Sequence, residues 1–121
     1  MRLNPEIIRG ILLTIEDNCN FSNVWEYKRD SYESEYLAEL SHDEIIYHIK
    51  QCDKSGLIEG VHYYDGGADI IICDLAPKGH EFLANIRNDS IWKQVLKKGA
   101  SASLPIITEL AKKLAIDFYL H

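Results

Sequence analysis

Five histidines and three cysteines are the side chains of this sequence that could hold a metal ion or act as nucleophiles. They form no Cys-x-x-Cys or His-Glu-x-x-His pattern, which are spacings typical of zinc sites. His48 and Cys52 are four residues apart and could share a helix face, but two ligands do not make a zinc site. The cysteines are odd in number and widely spaced, which favours reduced, buried thiols over disulfides. We therefore predict no metal and no cofactor.

Phosphate binding and acid–base catalysis have no motif in the sequence either. Gly66 and Gly67 indicate a turn, because no Gly-x-Gly-x-x-Gly or Walker pattern surrounds them. The acidic residues are scattered over the surfaces of predicted helices, where carboxylates are usually solvating charges. We expect no catalytic residue and no enzymatic activity.

One set of polar and aromatic residues has the chemistry to contact nucleic acid. Gln and Lys side chains hydrogen-bond to adenine and guanine edges in the major groove of DNA. The candidates are Tyr47, Lys50, Gln51 and Lys54 on the outward stripe of one predicted helix, with Tyr63 and Tyr64 near the tip of a predicted hairpin. Acidic residues at the start of that helix (Asp43, Glu44) and on the hairpin (Asp65, Asp69) oppose the approach of phosphates. The alternative interpretation of the stripe is an ordinary solvated helix face.

Length and charge limit the class of protein. With 121 residues, 46% of them hydrophobic and 26% charged, the chain is expected to form one compact unit. Residues 1–85 hold a net charge of minus 9 and residues 86–121 a net charge of plus 3. An acidic body argues against a general polyanion binder, so any DNA contact would be local. We find no signal-peptide pattern and no long apolar run, and therefore expect a cytoplasmic protein without a membrane span.

Caps and apolar spacing predict two helices in the first half of the chain. Asn4 and Pro5 suit the start of a helix from about 5 to 18. The Ser-x-x-Glu spacing at Ser41 is a capping box, and it predicts a helix from about 42 to 55 that ends at Gly56. Between them we predict a short strand or turn and then a short helix near 33–40. The aromatic residues of this stretch are expected mainly to close the edge of the core.

The second half of the chain predicts a hairpin and three more helices. Two β-rich runs, 57–64 and 68–75, flank an Asp-Gly-Gly turn. Pro77 opens a helix in which Gly79 permits a close backbone approach, and Asn88 begins another that ends at Gly99. The last segment, 104–120, is amphipathic. Its apolar stripe contains Ile107, Leu110, Ala111, Leu114 and Phe118.

This order of elements predicts a fold class. A helix, a short helix, a capped helix, a hairpin and a helix follow one another in a winged helix, a variant of the helix-turn-helix. We expect an α+β, mainly helical fold in which residues 1–88 form a winged-helix domain with a hairpin wing. Residues 89–121 are expected to form a C-terminal helical extension that serves packing or dimerisation.

Three stretches of sequence resemble a known family. They are residues 1–5, Met-Arg-Leu-Asn-Pro; residues 44–51, Glu-Ile-Ile-Tyr-His-Ile-Lys-Gln; and residues 78–87, Lys-Gly-His-Glu-Phe-Leu-Ala-Asn-Ile-Arg. The chain resembles the uncharacterised family called domain of unknown function 2513 over roughly its whole length. The resemblance implies a winged-helix fold and a phage or prophage setting in Gram-positive bacteria, and it supplies no activity, cofactor or catalytic residue. Ala76 stands where related winged helices place a capping Thr, so the helix start there is expected to be weaker by about 1 kcal/mol.

Two functions from different classes remain as hypotheses. The first is a non-enzymatic, winged-helix DNA-binding regulator that uses the stripe on the capped helix and the hairpin wing. The second is an acidic protein-interaction module without DNA binding, whose partner is another protein. A homodimer through Ile107, Leu110, Leu114 and Phe118 is a further expectation, and the alternative is that the last helix folds back over the protein's own core.

Overall fold

A computed structural model of the chain describes residues 1–30 and 34–120. Within those residues it is an α+β fold of five helices and a three-stranded antiparallel sheet. The helices are α1 (Pro5–Asn18), α2 (His42–Lys54), α3 (Pro77–Ile86), α4 (Asp89–Lys98) and α5 (Leu104–Leu120). The strands are β1 (Trp25–Lys28), β2 (Ile58–Tyr64) and β3 (Asp69–Leu75). The mixed, mainly helical class predicted from the sequence is confirmed.

The helices start where capping side chains satisfy their first backbone N–H groups. The Asn4 side chain accepts a hydrogen bond from the Glu6 amide at 3.0 Å. At the start of α2, the Ser41 hydroxyl accepts from the Glu44 amide at 3.1 Å, and the Glu44 carboxylate accepts from the Ser41 amide at 3.2 Å. This is the predicted capping box, and Gly56 follows the helix with a positive φ of 73°. Ala76 provides no side-chain cap to α3, because its methyl side chain has no hydrogen-bond acceptor.

The hairpin forms around the predicted Asp-Gly-Gly turn. β3 is the central strand, with β1 on one side and β2 on the other. Ile72 lies opposite both Trp25 and Val61 in the register, and it is buried together with Ile70 beneath the helices. All three turn residues have positive φ angles, which explains the two glycines. The first strand thus completes a small sheet whose inner face lies on the core.

The prediction of a short helix near 33–40 is wrong for residues 34–40, which form bends and turns. Residue 33 lies outside the described residues. Glu39 has a φ of 69°, a left-handed conformation that a helix excludes. Leu37 is the buried anchor of the segment. Its backbone passes so close to α1 that a side chain on Gly10 would lie 3.2 Å from the Tyr36 carbonyl oxygen. Packing against α1 has therefore overridden local helix preference.

The aromatic residues of this stretch divide between the core and the surface. Trp25 and Tyr27 are buried, as expected for side chains that close the core. Phe21 is fully exposed and Tyr36 is 40% exposed, so the expectation does not hold for them. Tyr32 lies outside the described residues.

α4 and α5 share the hydrophobic core with α1 and the sheet. Trp92 and Val95 of α4 and Ile107 of α5 belong to the same buried cluster as Ile8 of α1. Asn88 caps α4 directly after α3, so the predicted boundary at residue 88 falls at a helix junction; the division into two domains stays a prediction. In the part of the chain that is described, every helix is too short or too polar to cross a bilayer.

Candidate functional site

α2 presents the predicted outward stripe opposite its buried face. Ile45, His48, Ile49 and Cys52 point into the molecule, and the 3.6-residue period then directs the opposite stripe to the surface. Lys50 and Lys54 are exposed, and Tyr47 and Gln51 are partly exposed. The stripe predicted from the sequence therefore forms one continuous strip along α2.

The start of α2 is fixed to the sheet by an aromatic pair. The Tyr27 hydroxyl and Nδ1 of His42 share a hydrogen bond of 2.6 Å. Their rings are stacked, with an interplanar angle of 8° and 5.7 Å between centroids. Since Tyr27 is buried in β1, this contact joins the start of α2 to the sheet.

The hairpin lies against one edge of the stripe. The Tyr63 hydroxyl donates a hydrogen bond to Oδ2 of Asp53 at 3.1 Å, and Nζ of Lys50 lies 5.8 Å from the centre of the Tyr63 ring. Burial, and then the negative charge of Asp53, raise the pKa of Tyr63, so its hydroxyl keeps the proton that it donates. At the turn, a side chain on Gly67 would overlap Ile46 of α2. The structure thus brings Lys50 of α2 and Tyr63 of the hairpin together.

Tyr64 and Tyr47 have different surroundings. Tyr64 is 49% exposed and its side chain leaves the sheet on the face opposite to that of Tyr63, because side chains alternate along a strand. The Tyr47 ring stands edge-on to the His48 ring with 5.0 Å between centroids. Tyr47 therefore borders the side of α2 that faces away from the hairpin.

On that other side, His48 ties α2 to the start of the chain. The buried imidazole donates from Nδ1 to the Glu44 carbonyl oxygen at 2.6 Å and accepts at Nε2 from the Asn4 amide at 2.9 Å. Burial lowers the pKa of His48, while its hydrogen bond to the Glu44 carbonyl and the Glu44 charge act weakly in the opposite direction. Sequence reasoning missed this contact. The available signal was a histidine on the apolar face of an amphipathic helix.

A cavity of about 560 Å³ adjoins this histidine. Residues 1–7, Glu44, His48 and the α4 end at Leu96 and Ala100 form its wall. The segment before α1 thus borders the side of α2 that bears Glu44 and His48.

His48 and Cys52, the pair considered for a metal, are both buried on the inner face of α2. Both ring nitrogens of His48 already have backbone partners. Burial raises the pKa of the Cys52 thiol, which disfavours the thiolate that a metal would need. Among residues 1–30 and 34–120, no three His, Cys, Asp or Glu side chains are grouped to hold a metal ion.

The charges around the stripe are mixed. Lys50 and Lys54 are accompanied on α2 by Asp43 and Asp53, and Asp65 stands at the hairpin turn. Asp53 is occupied by the Tyr63 hydroxyl. The basic side chains are therefore local features on an acidic surface.

The residues predicted for a dimer interface are divided by the fold. Ile107 is 1% exposed in the protein's own core, where α5 packs on α3 and α4. Leu110 and Leu114 are partly buried, and Leu114 packs against that core, whereas Phe118 is 52% exposed near the chain end. The large apolar side chains that α5 leaves exposed elsewhere are Ile106, Ile116, Tyr119 and Leu120.

Comparisons with known proteins identify relatives without a described activity. A family described as "Hypothetical protein (DUF2513)" matches residues 2–105. A protein of Haemophilus influenzae titled "Uncharacterized protein" is 29% identical over 116 residues, which cover 95% of this chain and 92% of that protein. No solved structure shows a significant match to this chain.

Proposed function

We propose that this chain, which belongs to the DUF2513 family, is a non-enzymatic winged-helix protein that binds DNA as a regulator. The outward stripe of α2 enters the major groove in this proposal, and the β2–β3 hairpin acts as the wing. The phage or prophage setting implied by the family resemblance belongs to the same proposal.

The arrangement of elements supports the winged-helix interpretation. A capped helix, α2, is followed directly by a hairpin, and β1 pairs with the far strand of that hairpin. α1 packs across α2 on its inner side, which leaves the outer side of α2 open. One part of the motif differs from expectation, because residues 34–40 before α2 turn without forming a helix. The Tyr27–His42 hydrogen bond contributes to holding the start of α2 at this position.

The observation that carries the proposal is the contact between α2 and the hairpin at Lys50 and Tyr63. Their 5.8 Å ring contact holds a cation at the junction of the two elements that would straddle a DNA strand. Gln51 and Lys54 continue the strip, with side chains able to read adenine and guanine edges. An ordinary solvated helix face would not require the hairpin to lie within reach of Lys50.

The acidic surroundings determine what kind of binding is expected. The outward stripe of α2 can neutralise few phosphates, since Asp43 and Asp53 lie beside Lys50 and Lys54. We expect weak affinity for random DNA, visible at low salt, and tighter binding only where base edges match the strip.

Fluorescence anisotropy of labelled random duplex DNA, at low salt and again at higher salt, tests the proposal. Affinity should fall as salt rises, because phosphate contacts release counterions. The double variant Lys50→Glu with Lys54→Glu should lose binding. The matched double variant Lys97→Glu with Lys98→Glu changes the same charge on α4 and should keep it. Equal loss in both doubles would mean that only the net charge matters and would remove α2 from the proposal.

A second candidate function is an interaction module that binds another protein and no DNA. The net charge of minus 9 over residues 1–85 favours this function, since an acidic body selects basic partners. Absence of DNA binding at the lowest salt would favour this candidate over the first.

A further inference from the structure

α5 has a second apolar stripe on the side away from the core. Its buried face is formed by Leu104, Ile107, Ala111 and Ala115. The opposite face follows the alternating spacing of three and four residues that is typical of a helix that packs on another helix. We call this face the outward seam; it consists of Ile106, Glu109, Lys113, Ile116 and Leu120.

The apolar members of the outward seam are open to solvent. Ile106 is 58% exposed, Ile116 is 44% exposed and Leu120 is 77% exposed, and Glu109 and Lys113 between them are exposed as well. α5 already buries its other face against α3 and α4. An unpartnered seam on a helix that is itself fixed to the body is a preorganised surface for association.

The order of charges along the seam selects both the partner and its direction. In a parallel pair of two α5 helices, Glu109 would face Glu109 and Lys113 would face Lys113, which is repulsive. In an antiparallel pair centred at the level of residue 111, Glu109 of each copy faces Lys113 of the other. The same register places Ile106 of each copy opposite Ile116 of the other. The seam is thus complementary to itself in one direction only.

We propose that a second copy of this chain docks on the outward seam, with the two α5 helices antiparallel about a twofold axis. Two isoleucine layers and two Glu109–Lys113 pairs form the contact, and each occurs twice because the interface is isologous. This differs from the stripe predicted from the sequence, whose Ile107 is occupied by the protein's own core. DNA binding is not a premise of this proposal.

The contact is short, so the dimer is expected to be weak. The layers from residue 106 to residue 116 span roughly 15 Å of helix, well below the length of a stable two-stranded coiled coil. Association should therefore be measured up to several hundred micromolar protein, where a complex with a dissociation constant on the order of 10–100 µM becomes populated.

Sedimentation equilibrium of the full chain and three charge variants tests the proposal. Glu109→Lys and Lys113→Glu should each weaken the dimer roughly thirtyfold, because two attractive pairs become two repulsive pairs. The double variant with both reversals should restore the dimer, since it exchanges the two charges. An equimolar mixture of the two single variants should form a heterodimer, because each then supplies the charge that the other lacks.

Two controls separate this interface from general effects of charge. Lys93→Glu makes the same charge change on an exposed position of α4 and should leave dimerisation unchanged. Circular dichroism should show that each single variant keeps the helix content of the parent chain. A full chain that stays monomeric throughout the concentration range would overturn the proposal. A dimer that both single reversals leave intact would also overturn it, because the contact would then lie elsewhere.

Discussion

Acid lability of the His48 contact is the prediction that the structure specifies most closely. Both hydrogen bonds of the ring require neutral imidazole, because Nδ1 donates to the Glu44 carbonyl while Nε2 accepts from the Asn4 amide. A proton on Nε2 would face the N–H of Asn4 and break that bond. The pKa of His48 is lowered in the folded chain, mainly by burial.

The sign of the effect follows from this lowered pKa. Above the ordinary histidine pKa near 6.5, both the folded and the unfolded chain hold His48 neutral, and the contact contributes its full stability. As the pH falls below that value, the unfolded chain gains a proton that the folded chain resists. The free energy of unfolding therefore decreases until the pH reaches the lower, folded pKa. Loss of one partly buried hydrogen bond with its donor left unpaired costs about 1–2 kcal/mol, which sets the size of the decrease.

Urea unfolding at pH 8 and at pH 5 measures this decrease, and His48→Gln provides the reference. Gln keeps one donor and one acceptor but has no proton to gain. The other histidines are the same in both chains, so their titration cancels in the comparison. The parent chain should lose about 1–2 kcal/mol more than His48→Gln between the two pH values. Equal losses in both chains would refute the assignment of an acid-sensitive bond to His48 and Asn4.

Four further substitutions test the packing and one helix cap by urea unfolding. Gly79→Ala should destabilise the chain by about 1–3 kcal/mol, since the new methyl group would overlap the Leu57 carbonyl oxygen. A neutral result would mean that Gly79 of α3 does not lie against the Leu57 backbone at the start of the hairpin. Ile107→Ala should lower the free energy of unfolding by about 2–5 kcal/mol, whereas Phe118→Ala should change it by no more than about 0.5 kcal/mol. Similar changes in the two variants would contradict the placement of Ile107 in the core and Phe118 on the surface of α5. Ala76→Ser should raise the free energy of unfolding by about 0.5–1 kcal/mol, because α3 lacks a side-chain cap and Ala76 already has the extended backbone conformation of a capping residue. No gain would show that the serine hydroxyl does not reach a backbone amide in the first turn of α3.

The helix ends and the hairpin could be predicted because their signals are local. Asn4 and Ser41 bond to amides two or three residues away, and the Asp-Gly-Gly turn needs only its own backbone angles. The segment at 34–40 could not be predicted in the same way. Its conformation is set by the close passage of Tyr36 and Leu37 over Gly10, a contact that crosses more than twenty residues of sequence.

The candidate site was predictable in part for the same reason. The helical period alone places Lys50, Gln51 and Lys54 on one stripe of α2. The proximity of Tyr63 to that stripe depends on how the hairpin folds against α2, through Asp53. Composition contains no information on such docking.

Capping and turn signals act within a few residues, so the sequence alone specifies the order of the main helices and strands and most of the helix ends. Which apolar side chains of α5 are covered depends on tertiary packing, because Ile107 and Ile106 are equivalent as residue types and differ in what packs against them. Tertiary packing also brings His48 to the Asn4 amide, 44 residues away in the chain. Such contacts depend on the relative positions of whole helices, and those positions are fixed by the shared core rather than by any local pattern.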